Sequence, residues 1–269
     1  MTTSLDLDRI VPLATGGSGT PLFCVHPGSG SAYPYQPLAG ILGDDRPVYG
    51  IEAPGFDDDR EPVTSLPALC AEYADTLRAF RPAGDFLLLG WSLGGVIALD
   101  LAKRLTAAGA RVPRVVLVDV SVPHLAALPD EREIAERFLH DLLAAGGTPP
   151  PSLDGVLTGL PADADAAAVF TAAVRAGVVP PDLDEELLTG RYAVFHAHVE
   201  ASYGYQVTGA YHGPVVHLVA ADSDGPHLRW APTVTDLTEH LVPGTHHSIW
   251  AGDGLRRLAG LVRSALAGT

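Results

Sequence analysis

The sequence predicts a doubly wound α/β domain built on a mostly parallel, twisted sheet, and two observations carry that expectation. Short apolar runs alternate with segments of helical periodicity along most of the chain, an order that lays crossover helices on both faces of a parallel sheet. Several of those runs are also too continuously apolar for strands with one face in water. The candidate strands are residues 9–13, 22–26, 48–52, 86–89, 115–118, 215–220 and 237–242, about seven in all. After the third, Leu66, Leu69, Tyr73, Leu77 and Phe80 recur at helical spacing, with Ser65 as the N-cap. After the fourth, Val96, Ala98, Leu101, Ala102 and Leu105 define a second helix, which Gly109 ends. Leu255, Leu258, Val262 and Leu266 define an amphipathic helix that closes the chain.

Residues 121–209 break this rhythm. The segment offers no strand pattern and reads instead as helices around Ile134, Phe138 and Leu142, around Val169, Ala173 and Val174, and around Leu187, Leu188, Tyr192, Phe195 and Val199. Pro-rich joints at 148–151 and 179–181 separate them. A single domain spanning 1–269, with a helical lid insertion at 121–209, is the expected organisation, because excursions of this length commonly cover active sites.

The chemistry concentrates in Phe86-Leu87-Leu88-Leu89-Gly90-Trp91-Ser92-Leu93-Gly94-Gly95. An apolar strand runs into a Gly-x-Ser-x-Gly turn and then into a helix, the context of a nucleophile elbow. Glycine is needed on both sides of Ser92 because the turn packs backbone on backbone. A serine hydroxyl is a poor nucleophile at neutral pH, so Ser92 needs a base, a group to orient the base, and donors for a developing oxyanion. The base is expected after the last strand, where both His246 and His247 occur. His140, His196, His198 and His217 fall in helices or a strand and read as packed or solvated residues. Two aspartates end strands, Asp119 and Asp222, and strand ends are where active-site groups emerge in such sheets; spacing leaves both open. The oxyanion donors are the backbone N–H of Leu93 and one N–H from the turn Pro27-Gly28-Ser29-Gly30, either Gly28 or Ser29.

Composition narrows the function classes. A chain of 269 residues with 47% hydrophobic and 18% charged residues can bury a substantial core. The net charge of -15 argues against nucleic acid as a partner. No apolar run reaches the length of a membrane span, and the polar start is no signal peptide, so a cytosolic location is expected. Cys24 and Cys70, one in a strand-like and one in a helix-like run, read as reduced core residues. No His/Cys cluster has ligand spacing, so neither a metal nor another cofactor is expected.

The motifs together resemble the thioesterase domains of nonribosomal peptide and polyketide synthases, a branch of the α/β-hydrolase fold. Phe23-Cys24-Val25-His26-Pro27-Gly28-Ser29-Gly30 resembles that family's opening strand and oxyanion loop, Tyr49-Gly50-Ile51-Glu52-Ala53-Pro54-Gly55 its next strand, and Gly90-Trp91-Ser92-Leu93-Gly94-Gly95 its elbow. The resemblance implies Asp119 as the acid, from Leu117-Val118-Asp119, and His246 as the base, from Gly244-Thr245-His246. It implies transfer of an acyl or peptidyl chain from the phosphopantetheine arm of a carrier protein onto Ser92, then release by water or by an internal nucleophile. Trp91 and Leu93 point to the chain-terminating type rather than to stand-alone editing (type II) thioesterases; a general esterase or acyl-CoA hydrolase is the other enzymatic alternative. No serine of this chain lies in an Asp-Ser-Leu setting, so the carrier is expected to be a separate protein or a module outside this sequence.

Overall fold

Seven strands form one sheet in the order β1-β3-β2-β4-β5-β6-β7. The computed structural model describes residues 7–123, 126–144, 153–223 and 230–269. The strands are β1 (Ile10–Ala14), β2 (Leu22–Val25), β3 (Val48–Ile51), β4 (Leu87–Trp91), β5 (Arg114–Val118), β6 (Tyr211–Ala220) and β7 (Val234–Val242). β1 runs antiparallel to β3 and every other pair is parallel. The helices are α1 (Gln36–Leu42), α2 (Leu66–Phe80), α3 (Leu93–Ala107), α4 (Glu131–Ala144), α5 (Asp154–Leu157), α6 (Ala166–Arg175), α7 (Glu185–Tyr203) and α8 (Gly252–Ala265).

The apolar strands bury both faces, and alternate side chains serve different layers. On β4, Leu88 joins a core with α2 and α3 through Leu69, Tyr73, Ile97 and Leu101. Its neighbours Leu87 and Leu89 point to the other face, where Leu38, Leu42, Leu258 and Val262 of α1 and α8 cover them. Ser65 caps α2, its hydroxyl accepting from the Ala68 N–H at 3.4 Å. Gly109, at φ 83°, turns the chain out of α3. Both cysteines are free and buried.

Helices α4–α7 lie between β5 and β6 in sequence and hold an apolar core of their own. Phe138, Phe170, Tyr192 and Phe195 meet there edge-on or tilted, with ring centroids 5.2–5.6 Å apart in four pairs. Asp165 and Asp184 cap α6 and α7, each accepting a backbone N–H at 2.9 Å. Of the two Pro-rich joints, 179–181 connects α6 to α7, while 148–151 lies outside the described residues. No helix among the described residues is long and apolar enough to cross a membrane.

Candidate active site

β4 runs without a break through Gly90 and Trp91 into Ser92, and α3 begins at Leu93. The turn is sharp enough that Ser92 adopts φ 55°, ψ -129°, a sparsely populated conformation for a residue with a side chain that costs on the order of 1–3 kcal/mol. Neighbouring structure holds it there: the Ser92 N–H donates to Val118 O at 3.1 Å and Ser92 O accepts from Gly95 N–H at 3.0 Å. A Cβ on Gly94 would strike the carbonyl oxygens of Val25 and His26, and one on Gly90 would strike the Gly94 carbonyl, which is why only glycine fits on either side. Tyr35 pins the same strand ends, donating to Val25 O at 2.6 Å and accepting from the Trp91 N–H at 3.0 Å.

Asp119 follows the last residue of β5 and takes φ 47°. Its N–H donates to Leu218 O on β6 at 2.8 Å. Three donors converge on its buried carboxylate: Ala220 N–H at 2.9 Å, Ser223 Oγ at 2.8 Å and His246 Nδ1 at 2.6 Å. Burial alone would raise this carboxyl, but the hydrogen bonds from His246, Ala220 and Ser223 outweigh it and hold the group below its usual value. An ionised carboxylate can only accept, so Nδ1 of His246 carries the proton of that bond; in the neutral imidazole Nε2 is then the nitrogen with the lone pair.

The alternatives left open by spacing separate in space. Asp222 is exposed, and its backbone N–H donates to Gly244 O at 3.0 Å, bracing the loop that carries the histidines. His247 points its Nε2 at Asp141 of α4, 3.3 Å away, and its ring meets Trp91 edge-on at 5.5 Å. His246 instead leans on the Trp91 ring at 5.0 Å while its Nδ1 holds Asp119.

Ser92 and His246 both border two cavities. The larger, about 520 Å³, is also lined by Gly28, Leu93, Asp119, Arg137 and Tyr203. The smaller, about 210 Å³, is more apolar and is bounded by Ser29, Trp91, Phe138, Leu183 and Phe195. Residues of α4 and α7 line both. Among the described residues, Ser92 Oγ and His246 form no hydrogen bond; in ligand-free hydrolases such bonds commonly close only when substrate binds. Leu93 opens α3, so its N–H is a first-turn donor with no intrahelical acceptor. Gly28 and Ser29 face the larger and the smaller cavity respectively.

Sequence reasoning missed four supporting residues. Ser223 completes the carboxylate's shell. His217 and Trp230 fix the backbone just past Asp119: Val120 N–H donates to His217 Nε2 at 3.2 Å and Trp230 Nε1 donates to Val120 O at 2.7 Å. The fourth, Tyr35, ties β2 to β4. Each acts across a long sequence separation, so no local pattern marks it.

Comparison with known proteins follows the same line. A sequence model of the thioesterase domain matches residues 20–266. A dimodular nonribosomal peptide synthase of Bacillus subtilis (strain 168) is 37% identical over 147 residues, 55% of this chain and 6% of that protein. Holo-AB3403, a four-domain nonribosomal peptide synthetase, superimposes with a TM-score of 0.84 at 25% identity, over 95% of this chain and 20% of that one. The NocB thioesterase domain of the nocardicin cluster aligns over 97% of this chain and all of its own at 27% identity and a TM-score of 0.61. It has also been solved in covalent complex with a fluorophosphonate nocardicin G analogue. The chain therefore spans a small fraction of the synthetases it matches and nearly the whole of the thioesterase domain, and with its mostly parallel sheet and serine elbow it belongs to the thioesterase-domain family of the α/β-hydrolase fold.

Proposed function

We propose that this domain takes an acyl or peptidyl chain from the phosphopantetheine thioester of a carrier protein onto Ser92 and releases it by hydrolysis or cyclisation. The observation that carries the reading is the 2.6 Å bond from His246 Nδ1 to the buried Asp119 carboxylate, because it orients the ring by Nδ1 and assigns the base role to Nε2, with His246 and Ser92 bordering the same two cavities. In the first step the Ser92 hydroxyl passes its proton to His246 Nε2 while Oγ attacks the thioester carbon. The carbonyl electron pair moves onto oxygen, where the N–H groups of Leu93 and of Gly28 or Ser29 receive it. Collapse expels the thiolate, which takes the proton from His246, and leaves an ester on Ser92. Water or a nucleophile within the chain then attacks that ester by the same route.

Helices α4–α7 act in this reading as a lid whose apolar inner face selects the acyl chain, since Phe138 and Phe195 bound the smaller cavity. The carrier supplies positioning energy, and about 1.4 kcal/mol of transition-state interaction is already tenfold in rate. The test is kcat/KM for one acyl group presented on a carrier protein and on N-acetylcysteamine at identical salt. The carrier-bound substrate should react two or more decades faster, on the order of 3 kcal/mol of added interaction. Equal values would reject carrier dependence and leave a general esterase or acyl-CoA hydrolase.

A further inference from the structure

Two buried histidines lie behind the turn Pro27–Gly30, and neither takes part in the proton transfers above. His26 Nδ1 donates to Pro27 O at 2.7 Å, and His198 Nδ1, from α7, donates to Gly28 O at 2.8 Å. The rings stack with centroids 4.9 Å apart and planes at 14°. Gly30 N–H closes the turn onto Pro27 O at 3.1 Å. A trans peptide is planar, so its carbonyl and the N–H of the next residue point in opposite directions. Holding Pro27 O therefore aims the Gly28 N–H, and holding Gly28 O aims the Ser29 N–H. These are the two N–H groups this turn offers to an oxyanion.

We infer that His198 is a positioning residue for the oxyanion turn: its Nδ1–H fixes the Gly28–Ser29 peptide plane and so ties the catalytic donors to lid helix α7. The inference rests on the thioesterase reading above. The second ring nitrogen supports the assignment, because His198 Nε2 is buried with no hydrogen-bond partner. A proton on Nε2 would be wasted there and would set a lone pair of Nδ1 against the Gly28 carbonyl, so the tautomer is fixed with the proton on Nδ1. Burial pushes the His198 imidazole down to about 4, so it stays neutral and takes no proton from substrate. His26 is anchored on the sheet side, where its Nε2 lies 2.7 Å from the Tyr73 hydroxyl of α2. His198 brings the excursion to the same turn. One helical turn earlier, Phe195 lines both cavities and lies against Gly28, so a chain seated on Phe195 touches the helix that aims the donor.

Three substitutions test the role. His198→Asn places an amide N–H where Nδ1 stood, His198→Gln carries it out to the Nε2 position, and His198→Leu removes it. Competent sites are counted by the final extent of fluorophosphonate labelling at Ser92, and kcat and KM are measured per labelled site. Displacing an oxyanion donor should lower kcat by about 10- to 100-fold in the Leu and Gln variants, with KM within about twofold, while Asn stays within about threefold of wild type. Unchanged kcat per labelled site in the Leu and Gln variants would reduce His198 to packing and overturn the inference. So would an Asn variant as slow as Gln. Should His198→Leu not fold, the Asn and Gln pair decides alone. Failure of the thioesterase reading itself would show differently, as wild-type protein that leaves Ser92 unlabelled.

Discussion

The sheet and the helical excursion build the same site by opposite means. On the sheet side the candidate catalytic residues sit at strained backbone positions, Ser92 at φ 55° and Asp119 at φ 47°, and backbone hydrogen bonds to Val118 and Leu218 hold them there. On the excursion side, α4, α6 and α7 pack on their own aromatic cluster of Phe138, Phe170, Tyr192 and Phe195 and reach the site mainly through side chains such as Phe195, His198 and Asp141. Strain persists only where surrounding structure over-determines it, and the sheet is the part of the molecule that holds the candidate catalytic residues that way. A segment with a separate core can change its inner face without disturbing that scaffold, which suits the selecting role proposed for the helices.

The largest test of this division is on the sheet side. Asp119→Asn keeps the shape but frees His246 to adopt the wrong tautomer, and kcat should fall by about four orders of magnitude. Asp222→Asn, at an exposed side chain, should change it by less than about twofold. The opposite ranking in steady-state kinetics would put the orienting acid at Asp222, just past β6. On the helix side, Phe138→Ala enlarges the smaller cavity. Relative kcat/KM for a bulky over a compact acyl chain should rise by about tenfold, the scale of a few methylenes in an apolar pocket, with Ser92 labelling retained. A uniform loss for both chains would mean that Phe138 supports the scaffold rather than selecting.

The smallest effect spans both regions. His26 and His198 are buried and neutral, pushed down to about 3 and about 4 by desolvation. An unfolded histidine protonates near 6.5, so below that pH the unfolded chain binds more protons than the folded one. Stability is therefore fully present above about pH 6.5 and falls as pH drops towards 4, by up to about 1.4 kcal/mol per pH unit for each histidine. Urea unfolding of His198→Asn between pH 7 and 5 should show a shallower slope than wild type; identical slopes would contradict the buried, neutral assignment.

Much of this was legible in the sequence where the signal is local. Continuous apolar runs marked the central strands, and Gly90 and Gly94 around Ser92 marked the elbow, because close backbone approach leaves glycine little substitute. Strand ends were less legible. β6 starts at Tyr211 and β7 at Val234, before the apolar runs that announce them, since Gly213 and Pro214 interrupt β6 and β7 is an edge strand whose exposed residues carry no burial pattern. α1 escaped notice because Pro37 and Gly40 interrupt seven residues. Asp119 and Asp222 look alike locally, both following apolar strands; what separates them is the convergence of Ala220, Ser223 and His246, which only the fold assembles. His198 and Gly28 are 170 residues apart, so its contact with the turn is invisible to periodicity, which marks the helix and nothing of the helix's partner.

The central claim, that Ser92 carries the chain between carrier and product, is tested most directly by rapid-quench mass spectrometry with a carrier-bound acyl thioester. The account predicts an acyl adduct on the peptide containing Ser92 that forms and decays within one turnover, with no adduct and a loss of about five to six orders of magnitude in kcat for a folded Ser92→Ala protein. Turnover without an adduct at Ser92, or sustained acyl release by Ser92→Ala, would contradict it.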